Sequence, residues 1–170
     1  MTEQIPLSEL LHREHLHTLS VASDLEARAE DKRAGPIDAA DPGGRAQLEA
    51  LVRVVELDIA RHYRFEEEVL FPRLVAAGLG PMVDVLVMEH DAVREIAGPL
   101  HEAAEAALAE GFSPAGWRAF RNGVFDFVNS VSFHIQKEEL GVVRQLQTVL
   151  GADADRELGA LYASFDPNSG

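Results

Sequence analysis

The chain has no cysteine in its 170 residues. That absence excludes disulfides, thiolate zinc sites, iron–sulfur clusters and a cysteine nucleophile together. Basic residues are scarce as well: 15 Lys and Arg stand against 29 Asp and Glu, a formal charge of −14. So acidic a surface repels phosphates, which argues against nucleic acid or an anionic membrane as partner. No apolar run approaches the ~18 residues of a membrane helix, and Met1-Thr2-Glu3-Gln4-Ile5-Pro6 lacks the basic start of an export signal, so the expected location is cytoplasmic. Alternating Val/Ile/Thr segments between turn residues are also missing, and no strand is expected. What the chain does have is 46% hydrophobic residues, enough for one globular domain over 1–170, and seven histidines that require an explanation.

Apolar residues recur at helical spacing throughout, so the class is all-α. A first helix is expected from Pro6 to about Asp31, and a second from about Arg45 to about Ala77, with Pro72 kinking or shortening its last turns. Gly80-Pro81 opens a third helix that runs to about Ala109. Ser113 caps a fourth, Pro114 to about Leu150. A short fifth helix over about 153–165 covers one end, and a disordered tail over 166–170 follows. Four long amphipathic helices with mostly short connections pack as an up-down-up-down four-helix bundle, with a core over about 7–150.

The polar residues repeat with the helices. Glu14-His15 returns as Glu89-His90, a shift of 75, and His62 with Glu66 returns as His134 with Glu138, a shift of 72. The bundle is therefore two copies of one helical hairpin. Residues four apart share a helix face, so both members of each His-x-x-x-Glu pair reach one ion. His15 lies 16 residues before Asp31 and His62 lies 17 after Arg45, so the two sit at one height. His90 and His134 match in the same way across the second hairpin. All four histidines fall on core stripes: His15 with Leu11 and Leu19, His62 with Val55 and Ile59, His90 with Leu86 and Val93, His134 with Phe127, Val131 and the neighbouring Phe133.

Burying two carboxylates without a cation costs several kcal/mol. Imidazole and carboxylate donors without thiolates suit iron, manganese or zinc, and six ligands are too many for one tetrahedral ion. The economical arrangement is two metals: His15 and His62 on the first, His90 and His134 on the second. Glu66 and Glu138 would bridge them, and an oxo or hydroxo bridge and open positions would complete the shells.

The order His15, His62-x-x-x-Glu66, His90, His134-x-x-x-Glu138, with the strings Glu14-His15, Glu66-Glu67-x-x-Leu70-Phe71-Pro72 and Glu89-His90, resembles the hemerythrin-like, or HHE cation-binding, family. The resemblance implies a non-haem diiron site. Oxygen-carrying hemerythrins have a fifth histidine four residues after the third-helix histidine and an aspartate five after the fourth-helix histidine. Here those positions hold Arg94 and Glu139. The departures point away from reversible oxygen carriage and towards the bacterial stand-alone members and the iron-centre repair proteins, whose metal domain is similar in using four histidines and two glutamates. The cysteine-bearing domain of those repair proteins has no counterpart in this sequence.

Two functional readings follow. In one, a diiron site binds or reacts with dioxygen, peroxide or nitric oxide in sensing or stress defence, with or without turnover as an oxidoreductase. In the other, the protein is a non-catalytic iron store, donor or iron-responsive interaction module. His12 is a candidate for contact with the ligand set, and Glu139 for a substitute ligand. His17 and His101 read as surface residues. One or two of Glu14, Glu67, Glu89 and Glu139 are expected to orient a ligand ring and the rest to face solvent. Tyr63 reads as a packing aromatic or a hydrogen-bond donor to bound oxygen, and Trp117, Phe120, Phe125 and Phe127 as core.

Overall fold

Pro6, with φ −59° and ψ 149°, starts the first helix without a side-chain cap, and α1 (Leu7–Glu30) follows. These features come from a computed structural model that describes residues 5–166. The second helix starts three residues earlier than its apolar pattern suggests. Asp41 accepts a hydrogen bond from Gly44 N at 2.9 Å, and Pro42 supplies the fixed φ of a first turn, so Asp41-Pro42 is a helix start rather than a turn. The rod then runs unbroken as α2 (Pro42–Arg53), a π-helical stretch (Val54–Arg61), α3 (His62–Phe65), a second π-helical stretch (Glu66–Leu70) and α4 (Phe71–Ala76).

The π stretches correct the expectation of a uniform helix. Phe71 N–H reaches back five residues to Glu66 O, one turn before Pro72, so widening here absorbs the missing donor and the bulk of the pyrrolidine ring. In the earlier stretch His62 N–H reaches Leu57 O, and the altered register buries Val54 completely while Val55 is only half-buried.

The remaining elements are α5 (Gly80–Glu110) and α6 (Pro114–Gly141), then a 3-10 turn (Val143–Gln145), α7 (Leu146–Leu150) and α8 (Ala152–Ser164). Gly111, at φ 77°, ends α5 in the left-handed region, and Ser113 Oγ accepts Gly116 N at 3.0 Å to start α6. The fourth helix is shorter than expected. It ends at Gly141 instead of continuing to Leu150, because Val142 leaves helical geometry (φ −114°, ψ −68°) and Gln145 bonds back to Val142 O and Leu140 O. The expected tail beyond Asp166 lies outside the described residues.

Each of the four long rods packs against its two neighbours, α1 against α6, α6 against α5, α5 against α2 and α2 against α1. This is the expected four-helix bundle. Among the described residues no strand occurs, and no helix is long and apolar enough to cross a membrane. Two apolar clusters fill it. One surrounds Leu25, Leu48, Leu51, Val54, Phe120, Phe127 and Val131; the other joins Leu7, Leu11, Phe65, Leu70, Leu86, Leu158 and Tyr162. Between them lies a buried polar layer of His15, Thr18, His62, Glu66, His90, His134 and Glu138. Trp117 is buried with the first cluster as expected, whereas Phe125 is only partly buried and Phe133 is 65% exposed, off the core stripe assigned to it.

The fifth helix is locked to the first. Asp155 is fully buried and accepts Ser8 N (2.9 Å), Ser8 Oγ (2.6 Å) and Gln147 Nε2 (3.1 Å), which satisfies a free donor of the first turn of α1. Gly159 lies so close to the start of α1 that a Cβ there would meet Ile5 O at 2.0 Å. Only glycine allows that approach.

Candidate metal centre

The structure brings all six sequence-derived residues together in the polar layer, each with at most 4% of its surface exposed. His62 and Glu66 lie on α3 and at the start of the π stretch that follows it. The single α-helical turn between the two π stretches preserves their spacing, with His62 Nε2 3.1 Å from Glu66 Oε1. The other Glu66 oxygen lies 3.3 Å from His90 Nε2. Glu138 Oε2 is 3.2 Å from His15 Nε2 and 3.3 Å from His134 Nε2, and its Oε1 is 3.6 Å from His90 Nε2. Each carboxylate thus spans histidines from both hairpins. The ring pairs stand level, with centroids 5.2 Å apart for His15 and His62 and 4.7 Å for His90 and His134.

A second ring of acids surrounds these histidines from outside. Glu139 Oε1 accepts His15 Nδ1 at 2.7 Å, Glu14 Oε2 accepts His62 Nδ1 at 3.1 Å, Glu67 Oε1 accepts His90 Nδ1 at 2.7 Å, and Glu89 Oε2 accepts His134 Nδ1 at 3.3 Å. An ionised carboxylate only accepts, so each Nδ1 carries a hydrogen and each Nε2 turns inward. All four candidate acids orient a ring, where one or two were expected. Each one sits next to an inner residue in sequence and reaches a histidine on the neighbouring helix. The signal was present in the repeat: Glu14 and Glu89 differ by 75 and Glu67 and Glu139 by 72, the same offsets that relate the inner residues.

The inner atoms face one another without a hydrogen bond. Nine buried side-chain nitrogen and oxygen atoms among the described residues have no hydrogen bond, and eight are the Nε2 atoms of His15, His62, His90 and His134 and both oxygens of Glu66 and Glu138. Such a cluster, buried and unpaired, is costly unless protons or cations fill it. Without a metal, protons do. Burial opposes charge on His90, but the facing Glu138 and Glu66 carboxylates outweigh it and push the imidazole up to about 9. His62 rises well above its ordinary value against the same burial, through the charge of Glu66 and the bond to Glu14. Burial would raise Glu138, yet the charge of His134 and the approach of His15 and His90 hold it well below the usual carboxylate range.

The donor set also fits metal. His15, His62 and Glu138 offer ligand atoms within 4.8 Å of one another, and so do His90, His134 and Glu138. The hemerythrin HHE cation-binding domain model matches residues 7–146. The chain belongs to that family. No curated protein matches it significantly. Family membership makes the HHE domain a metal-binding one, and the buried His/Glu groups are the residues able to hold a metal.

The remaining candidates take clear places in the HHE domain. Glu139 faces the outer nitrogen of His15, away from the inner atoms, which removes it as a substitute ligand. His12 bonds Glu139 Oε2 at 3.0 Å, on the carboxylate whose other oxygen holds His15. His17 is half-exposed and bonds Asp58 at 2.6 Å, and His101 lies between Glu56 and Glu105 at 3.1 and 3.5 Å. Arg94 turns outward to Glu67 at 2.9 Å and Asp91 at 3.1 Å. Tyr63 is buried and stacks on His90 with centroids 3.7 Å apart and planes 5° apart, so it packs against an inner ring.

Proposed function

We propose that the HHE domain is a non-haem diiron protein that binds or reacts with a small oxidant, dioxygen, peroxide or nitric oxide, in sensing or stress defence. The observation that carries this reading is the set of eight buried, inward-facing nitrogen and oxygen atoms without a hydrogen bond, among which His15 with His62 and His90 with His134 form two metal-sized groups that share Glu138. His15 and His62 would hold one iron and His90 and His134 the other, with Glu66 and Glu138 between them. Iron bound there would supply Lewis acidity and electrons to a small molecule.

The chain's own contribution is positional. The four outer carboxylates fix ring orientation and strengthen each Nε2 as a donor. The apolar clusters on both sides keep bulk water from the polar layer. Tyr63, held between His90 and the Arg94 guanidinium 5.5 Å from its ring centroid, closes one side of the layer. Arg94 stands where the oxygen carriers have a histidine and is committed to Glu67, so the second iron would take no fifth histidine from this helix.

A specific observation favours the non-catalytic alternative of an iron store, donor or iron-responsive module. The groove of about 600 Å³ lined by Leu19, Phe133 and Glu139 reaches an outer carboxylate and none of the six inner residues. Metal analysis of chain purified without a tag, combined with absorption spectra before and after air or peroxide, separates the readings. Two irons per chain and a new near-ultraviolet ligand-to-metal band support the oxidant-reactive reading. Two irons with an unchanged spectrum support the storage or responsive reading. No bound iron refutes both.

A further inference from the structure

The two hairpins differ in what steadies their outer carboxylates, and Glu14 and Glu89 show it. In the second hairpin, Glu89 orients His134 and is itself paired with Lys137. The repeat offset of 72 places Phe65 where Lys137 would stand in the first hairpin. Phe65 is fully buried and offers Glu14 no donor. The donors come instead from the C-terminal helix and the residue that grips it. Tyr162 Oη donates to Glu14 Oε2, the same oxygen that accepts His62 Nδ1, and Arg61 lies 3.7 Å from Glu14 Oε1.

Arg61 and Phe65 together make the berth for this helix. Phe65 packs edge-on against Tyr162 at 4.8 Å and against Phe165 at 5.3 Å. Arg61 donates to Tyr162 O and to Phe165 O and stacks 4.3 Å over the Tyr162 ring, holding a carbonyl of the last turn of α8 and the one just past its end. The counterpart of Arg61 in the second hairpin is Phe133, which is 65% exposed and meets no such helix. The half of the centre built by His15 and His62 therefore leans on a segment that lies beyond the family-matched residues 7–146.

We propose that Tyr162 is a positioning residue for the metal centre, acting on His62 through Glu14, so that docking of α8 and loading of the first metal reinforce each other. Reciprocity is required: if a docked α8 raises metal affinity, bound metal strengthens docking by the same factor. The proposal rests on the reading of the polar layer as a metal centre.

The test uses the full chain with anaerobic ferrous iron. Loading the unaltered protein is expected to slow hydrogen exchange of the α8 amides. Tyr162→Phe keeps the ring and its packing but removes the donor. It should lower affinity for one of the two irons about tenfold, the lower end of losses seen for partners outside the ligand set, and leave the other unchanged. With iron-57, one quadrupole doublet should shift and one should not, and the exchange response of α8 to loading should be lost. A purely structural tyrosine would lower the stability of free and loaded protein alike and move neither doublet selectively. Glu14→Gln combined with Tyr162→Phe should be no worse than Glu14→Gln alone, because the effect passes through Glu14. Two irons bound by Tyr162→Phe with unchanged affinity and an unchanged α8 response would overturn the proposal while leaving the metal centre standing. An unaltered chain that takes up no iron overturns both. Should Tyr162→Phe fail to fold, an α8 exchange rate in the unaltered protein that ignores loading still refutes the coupling.

Discussion

Removing metal from this centre should make stability fall as pH rises. His15, His62 and His90 all have pKa values above the ordinary 6.5 in the metal-free fold, His90 at about 9. A base whose folded pKa is raised adds stability that is complete below its unfolded value and is lost as pH climbs through the folded one. For His90 alone the window runs from about 6.5 to about 9, and the loss is on the order of 3 kcal/mol. In a domain of this size that corresponds to roughly 6–12 °C in Tm. His15 and His62 act in the same direction. Glu138, held low, adds stability above about 4.5 that is lost as pH falls through its folded value, so the metal-free optimum should lie near pH 5 to 6.5. The assay is thermal unfolding by circular dichroism in chelator from pH 5 to 9.5, repeated with iron. Bound iron displaces these protons, so the stabilisation it adds should grow with pH over the same interval. A metal-free Tm flat within 2 °C between pH 6.5 and 9.5, or a loaded protein with the same slope, would sink the argument that protons and metal compete for one set of Nε2 atoms.

Other outcomes are equally open to measurement. Glu138→Gln should reduce iron content more than Glu66→Gln, because Glu138 faces three histidines and Glu66 two; metal analysis after identical loading decides it. Glu67→Gln should weaken iron binding about 10–100-fold in chelator competition with helix content unchanged, since it takes the negative charge from the group that faces His90 Nδ1 and Arg94. Phe127→Ala, at a fully buried position in the first apolar cluster, should cost about 3–5 kcal/mol in urea unfolding. Asp155→Ala strands Ser8 N, Ser8 Oγ and Gln147 Nε2 and should cost at least 1–3 kcal/mol, with early proteolysis at the C-terminal helix.

The bundle and the six inner residues were legible because they rest on local periodicity. His15, His62, His90 and His134 share helix faces with leucines and valines, and a polar residue on a core stripe demands a partner. Elements decided by distant contacts were not legible. Val54–Arg61 contains neither Pro nor Gly, and its π geometry has no local marker. The break at Gly141 is followed by apolar residues that continue a helical pattern, and only the backbone turn at Val142 stops it. Tyr162 reaches Glu14 across 148 positions and Asp155 reaches Ser8 across 147, separations invisible to any window of sequence. The outer acids were half-legible: with side chains 20–28% exposed they look like solvated residues, and only their place in the repeat marks them.

That place in the repeat has a geometric reason. Successive residues on a helix are turned by about 100°, so an acid adjacent to an inner residue points away from the polar layer, but it does face the next helix of the bundle. There it meets Nδ1 of a histidine whose Nε2 faces the buried polar layer. Glu14 on α1 serves His62 on α3, Glu67 on the second π stretch serves His90 on α5, Glu89 on α5 serves His134 on α6, and Glu139 on α6 serves His15 on α1. The support closes into a circle around the bundle. Each inner ring is held by the sequence neighbour of another inner residue, so loss of packing between any two adjacent helices misaligns an inner histidine, and the integrity of the fold and the geometry of the centre are set by the same contacts.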